Sequence, residues 1–142
     1  MSKRPTPAGD AITANTLYVG TVVGGNCIVT TVTGHGTDAL PLRLDVARHS
    51  PTGFAWGYNG SGPAQLALAL LCEVTTPEIA LQHYQEFKRL FIARLPANGQ
   101  WSLNRVALLA ILEMVRSIVA EQAEQAQAMA QPQFEEEVPP RH

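Results

Sequence analysis

"TLYVGTVVGGNCIVTTVTGHGTDALPLRLDVA", residues 16–47, decides how this chain folds. Two runs rich in Val, Ile and Thr flank Gly24, Gly25 and Asn26. β-Branched side chains suit a pleated, half-buried surface, and a Gly-Gly-Asn link supplies the positive φ angles of a tight hairpin. The pattern predicts paired antiparallel strands over 16–23 and 26–33. "GHGTD" (34–38) then reads as a turn. Beyond it Leu40, Leu42, Leu44 and Val46 alternate with Pro41, Arg43 and Asp45, the two-residue period of a strand with one buried face. Pro41 has no N–H to give a ladder, so this third strand is expected to begin at a sheet edge. A small antiparallel sheet of about three strands follows.

Downstream the period changes to that of helices. Ser61 or Gly62 can cap a first helix, with Pro63 near its first position, where a missing N–H costs nothing. "AQLALALLCEV" is apolar nearly all round, so this helix is expected to be the buried one. "TTPEIALQHYQEFKRLFIARL" opens on Thr76 as N-cap, followed by Pro77 and Glu78, and sets Ile79, Phe87, Leu90 and Phe91 along one side. "PANGQW" breaks it. Ser102 is the expected cap of a third helix whose stripe is Leu108, Ile111, Leu112, Val115, Ile118 and Val119. After Val119, "AEQAEQAQAMAQ" keeps helix propensity with little to bury, and is expected to project unless a partner covers it. Residues 1–15 and the acidic, Pro-rich "PQFEEEVPPRH" read as disordered. The fold class is therefore α+β: a single domain over 16–119, then a projecting helix end and acidic tail over 120–142.

At 142 residues and 46% hydrophobic content, one domain can bury a real core. A net charge of −2 argues against general nucleic-acid binding, which needs a strong basic excess. The charge is uneven: zero over 1–39, +2 over 40–116 and −4 over 117–142. Cys27 and Cys72 form no metal or redox motif, and the basic start lacks the apolar segment of a signal peptide. No apolar run approaches the roughly 18–20 residues that span a bilayer. A cytoplasmic protein with reduced thiols and no membrane partner is expected.

The remaining question is what "GFAWGYNGSGPAQLALALL" (53–71) does with its aromatics and glycines. Gly57 and Gly62 have P-loop spacing, but Pro63 and Ala64 stand where Lys and Ser or Thr would reach phosphates and magnesium. A dinucleotide fingerprint fails at Gln65, and a nucleophile elbow fails at Asn59 and Pro63. Nothing fixes Ser61, His49 and Asp45 as a triad, and the four histidines lack the spacing of metal ligands. No catalytic residue, metal site or cofactor is assigned. A glycine-rich loop entering a helix does present backbone N–H groups, reinforced by the helix dipole, to an anion. Trp56 and Tyr58 could stack on a base. The candidate ligand-binding set is Trp56, Gly57, Tyr58, Asn59, Gly60, Ser61 and Gly62, with Arg43 and Arg48 (and Lys88) as sources of charge. The competing reading has Phe54 and Trp56 filling the seam between sheet and helices, with the glycines permitting a tight crossover.

"LPLRLDVARHSPTGFAWGYNGSGPAQLALALL", continuing through "HYQEFKRLFIARLP" to Trp101, resembles a small domain family of unknown function found in bacteria, their plasmids and phages. The resemblance covers roughly residues 17–115. Family members often carry Gly where this chain has Asn59, which tolerates a left-handed backbone nearly as well. The resemblance implies an accessory role and no particular activity. Two functions are expected to compete. One is a non-catalytic module binding a nucleotide or other anionic small molecule at the loop. The other is a protein-interaction module or inhibitor using the C-terminal helix and acidic tail, which could also pair copies as a homo-oligomer.

Overall fold

The computed structural model describes residues 15–137, with side chains described as far as Ala130. The disorder expected over 1–15 and 132–142 lies outside those residues for 1–14 and 138–142; over 132–137, against that expectation, the backbone continues as helix. Four antiparallel strands form one sheet: β1 (Leu17–Val23), β2 (Asn26–Thr33), β3 (Gly36–Ala39) and β4 (Trp101–Asn104), in the order β3-β2-β1-β4. Three helices complete the domain: α1 (Ser61–Val74), α2 (Pro77–Leu90) and α3 (Arg105–Glu137), with a short 3-10 turn at Ile92–Arg94. The α+β class holds, with four strands in place of about three.

The β1–β2 hairpin forms as its sequence requires. Gly24 and Gly25 take φ of 57° and 83°, the pair of left-handed residues that a two-residue hairpin link needs. Val23 pairs with Asn26 and Leu17 with Val32. The third strand, however, is not the alternating segment. It is Gly36–Ala39, four exposed residues paired with Thr30–Thr33, lying largely in the stretch that reads as a turn. Leu40 then turns inward, its N–H donating to the Val29 carbonyl at 3.0 Å. Arg43 sits at φ 59°, which breaks any strand over 40–46. The alternation of leucines there reflects a chain wrapping over the core edge, where side chains are half-buried on a turn.

The fourth strand occupies the linker after α2, pairing Leu17 with Asn104 and Gly20 with Trp101. This moves the cap of α3. Ser102 is a strand residue facing outward, and Asn104 caps instead, its Oδ1 accepting from the Ala107 N–H at 2.7 Å. The Arg105 N–H donates to the Thr16 carbonyl at 3.0 Å and ties the helix start to β1.

The core lies between the inner face of the sheet and α1. Tyr18, Val29, Trp101 and Leu103 line that face, and Gly62 through Leu71 of α1 are all buried. Leu66, Leu68, Leu70 and Leu71 are fully enclosed, each worth about 1.5–3 kcal/mol on transfer from water. Thr76 caps α2 by accepting from the Ile79 N–H at 3.3 Å, with Pro77 beside it. Leu108, Leu112 and Val115 seat α3, with Ile111, Ile118 and Val119 half-buried around them. From Ala120 to Ala130 every residue is exposed, with Gln122 approaching Glu86 at 3.5 Å. No helix of the described residues is long and apolar enough to cross a membrane.

Candidate functional site

Gln65 organises the approach to the site. Fully buried in the second turn of α1, its Oε1 accepts from the N–H groups of His49 and Ser50 at 2.7 and 2.9 Å. Its Nε2 donates to the carbonyls of Leu42 and Ala47 at 2.6 and 3.0 Å. One amide thus pins residues 42–50 to the helix through four backbone groups, and the two N–H and two C=O partners fix which way it points. The same chain contour brings His49 Nε2 to 2.5 Å from the Tyr84 hydroxyl, which also accepts from Gln85. The chain then runs on as residues 50–55 beside the hairpin tip.

Between them lies a groove of about 450 Å³. Gly25, Asn26 and Cys27 of the hairpin form one wall, and Ser50 and Thr52 through Ala55 another. Tyr58, Ser61 and Gly62 close the end at the start of α1. Gly60 is the N-cap residue, no side chain caps the helix, and its first turn holds no acidic residue. Pro63 contributes no N–H there. Tyr58 is 53% exposed, with its ring against Gly60, where an added Cβ would meet Tyr58 Cε2 at 2.5 Å. Burial pushes the Cys27 thiol up, so it remains protonated at neutral pH and is a poor nucleophile. No charged side chain lines the groove, and the chain carries none from Ser50 to Cys72.

The sequence-derived residues divide here. Tyr58, Ser61 and Gly62 line the groove; Asn59 and Gly60 lie between them in the chain and do not line it. Trp56 does not. It is 3% exposed, packs edge-on against Trp101 with ring centroids 5.5 Å apart, and donates its indole N–H to the Gly99 carbonyl at 3.0 Å. It fills the seam between sheet and helices, as the competing reading expects. Gly57 is likewise a close-approach residue. Its φ is 88°, its N–H donates to the Ile92 carbonyl at 3.1 Å, and a Cβ there would lie 2.6 Å from Ala97 Cα. Asn59 is not left-handed, and Gly60 is extended (φ −159°, ψ −166°), a conformation open to any residue.

The cations are elsewhere. Arg43 forms a two-pronged ion pair with Asp45, at 3.1 Å for both contacts, and feels the carboxylate of Glu73 at the C-terminal end of α1. Its guanidinium is engaged there and does not line the groove. Near it, burial pushes the Glu73 carboxyl up against the opposing pull of Arg105 and Arg43. Arg105 donates to the Glu73 carbonyl at 2.8 Å, and the buried Tyr18 hydroxyl lies beside both side chains. Arg48 is exposed outside the groove lining, and Lys88 is half-buried on α2. The imagined triad is not assembled, since His49 engages Tyr84 and Asp45 engages Arg43. Among the described residues no group of three His, Cys, Asp or Glu could hold a metal ion.

Missing from the sequence-derived set are the hairpin-tip residues, the second wall of Ser50 and Thr52 through Ala55, and Gln65. A signal existed for the first, because a Gly-Gly-Asn tip is exposed by construction. None existed for Gln65, whose partners are backbone groups 15 to 23 residues away. No curated protein and no solved structure matches the chain. A family model does match, over residues 18–117, which takes in the hairpin, the groove loop, α1, α2 and the start of α3: the chain belongs to DUF6166, a family of unknown function.

Proposed function

We propose that the protein is a non-catalytic accessory binding module that holds a phosphate-bearing, nucleotide-like ligand in the groove beside the α1 N-terminus. The observation that carries the reading is the meeting of three features in one place. A groove of ligand size, an uncapped helix start and an exposed aromatic ring share Tyr58, Ser61 and Gly62. The phosphate would sit on the helix N–H groups, and the base would stack on Tyr58 in the role the sequence suggests for Trp56. With no cation in the lining, charge is met by backbone dipoles alone. That favours a single phosphate over a triphosphate chain, whose outer groups call for Lys and magnesium.

Ser61→Asp separates ligand binding from folding. A carboxylate in the first turn stabilises the helix by about 0.3–1 kcal/mol, yet it repels an anion from the same N–H groups. Equilibrium dialysis against nucleoside monophosphates should show binding by the wild type and loss of it in Ser61→Asp, whose melting temperature is unchanged or raised. Undiminished binding by Ser61→Asp would reject the site.

A second reading rests on Ala120–Ala130, eleven consecutive exposed residues on a continuing helix. It makes the protein an interaction module or inhibitor whose partner covers the end of α3 and the acidic tail. Charge reversal of Glu121 and Glu124 should weaken such a partner and leave nucleotide binding intact.

A further inference from the structure

Directly opposed residues of an antiparallel pair project to the same side of the sheet. Val19 opposes Thr30 and Ser102, Leu17 opposes Val32 and Asn104, Thr21 opposes Ile28, and Thr37 and Ala39 of β3 oppose Val32 and Thr30. These residues therefore share one face, the reverse of the face on which Tyr18, Val29, Trp101 and Leu103 build the core. It is an unusual surface. None of its positions is Asp, Glu, Lys, Arg or His, and Leu, Val and Ile alternate there with threonine. Val23 and Ile28 are 58% and 41% exposed on it. A solvated antiparallel face ordinarily carries polar and charged side chains.

We propose that this face is the contact between two copies of the chain, packed sheet on sheet about a two-fold axis. A partner bearing charges would bury them against a surface with no counter-charge, so their desolvation would go uncompensated. The partner surface must therefore be uncharged as well. A two-fold axis supplies one by setting the face against itself, with β-branched side chains interdigitating across the roughly 10 Å between packed sheets. The face has neither the basic side chains nor the aromatic rings that dock a surface on lipid. Its extent sets the strength. Two strands of seven or eight residues and two of four, at about 3.3 Å per residue and 4.8 Å between strands, project roughly 350–400 Å². Allowing for side-chain relief, two copies bury on the order of 1,000–1,200 Å², the low end of specific interfaces. The association is reversible and depends on concentration. It stands independently of any ligand in the groove, and it places the contact on the sheet, away from the end of α3.

Sedimentation equilibrium on the full chain, from about 5 to 500 µM so as to span weak dissociation, tests this. The wild-type mass should rise from 15.3 kDa towards twice that value. Thr30→Lys, at the centre of the face, should hold the monomer mass throughout with an unchanged melting temperature. Thr21→Lys should do the same, and serves if the first variant folds poorly. Met114→Lys, on the exposed side of α3, should associate like the wild type. A wild-type monomer across the whole range would overturn the proposal. So would wild-type association by both sheet variants, or dissociation by Met114→Lys alone.

Discussion

Replacing Gln65 by Leu keeps the volume of the buried side chain and removes all four of its hydrogen bonds. The N–H groups of His49 and Ser50 and the carbonyls of Leu42 and Ala47 each lose a partner. A buried polar group left unsatisfied costs about 1–3 kcal/mol, so four groups could cost as much as the whole stability of a domain, roughly 5–15 kcal/mol. Leu42, Ala47, His49 and Ser50 are themselves only half-buried, so water can reach some of these groups once the amide is gone. The expected loss is therefore at the lower end, about 3–5 kcal/mol. Gln65→Glu is sharper, because it keeps both acceptor sites and loses the two donors. Its carboxylate would face the Leu42 and Ala47 carbonyls, which favour the protonated acid, so its folded-state pKa lies above the unfolded one. Stability of this variant is then gained as pH falls through the folded-state pKa towards the unfolded value near 4.3, and lost at higher pH. Urea denaturation followed by circular dichroism at pH 5 and pH 8 measures both effects. A Gln65→Leu midpoint equivalent to a loss under about 1 kcal/mol would refute the reasoning, because the segment over 42–50 would then be held by something else.

Trp56→Ala should cost about 3–5 kcal/mol as a core truncation, whereas Tyr58→Ala should change stability by no more than about 0.5 kcal/mol. The same Tyr58→Ala change should weaken a base-containing ligand by about 1–3 kcal/mol, read by dialysis. Gly57→Ala combines a left-handed backbone with overlap on Ala97 and should cost about 2–5 kcal/mol, against less than about 1.5 kcal/mol for Gly60→Ala, where only the exposed Tyr58 ring must move. Thermal melts of the two glycine variants check the contrast. Burial, with Arg116 nearby, holds the His83 imidazole below its ordinary value of 6.5. The unfolded chain then binds the proton first, so stability is complete above about pH 6.5 and falls as pH drops below it. His83→Leu should flatten that decline in urea midpoints measured between pH 7.5 and 5.5.

The hairpin and α2 were legible because their signals are local. Gly24-Gly25 sets two positive φ angles within the link, and Thr76-Pro77 fixes a helix start within one turn. The other two strands were not. Gly36–Ala39 holds Gly and Asp, poor strand formers, and becomes a strand only because Thr30–Thr33 offers it a ladder. Trp101–Asn104 is likewise made by its neighbour, with Trp101 lying on Gly20, where a Cβ would have no room. The alternation over 40–46 carried the right burial tendency and the wrong backbone, since period two cannot distinguish a strand from a chain wrapped around a buried amide. At the site, aromatics among glycines were readable as a cluster but not as a division of labour. Trp56 and Tyr58 are two residues apart, yet one is anchored to Gly99 in the core and the other faces solvent. Which ring turns inward depends on Trp101 and Gly99, more than forty residues downstream.

The central claim is that the groove between the hairpin tip and the α1 N-terminus is where this protein binds. Amide chemical-shift mapping of the full chain, titrated with a nucleoside monophosphate, tests it most directly. Saturable shifts should concentrate at Gly25–Cys27, Ser50, Thr52–Ala55, Tyr58, Ser61 and Gly62, with residues 120–130 unmoved. Shifts confined to the end of α3, or no saturable shift at any site, would contradict the account.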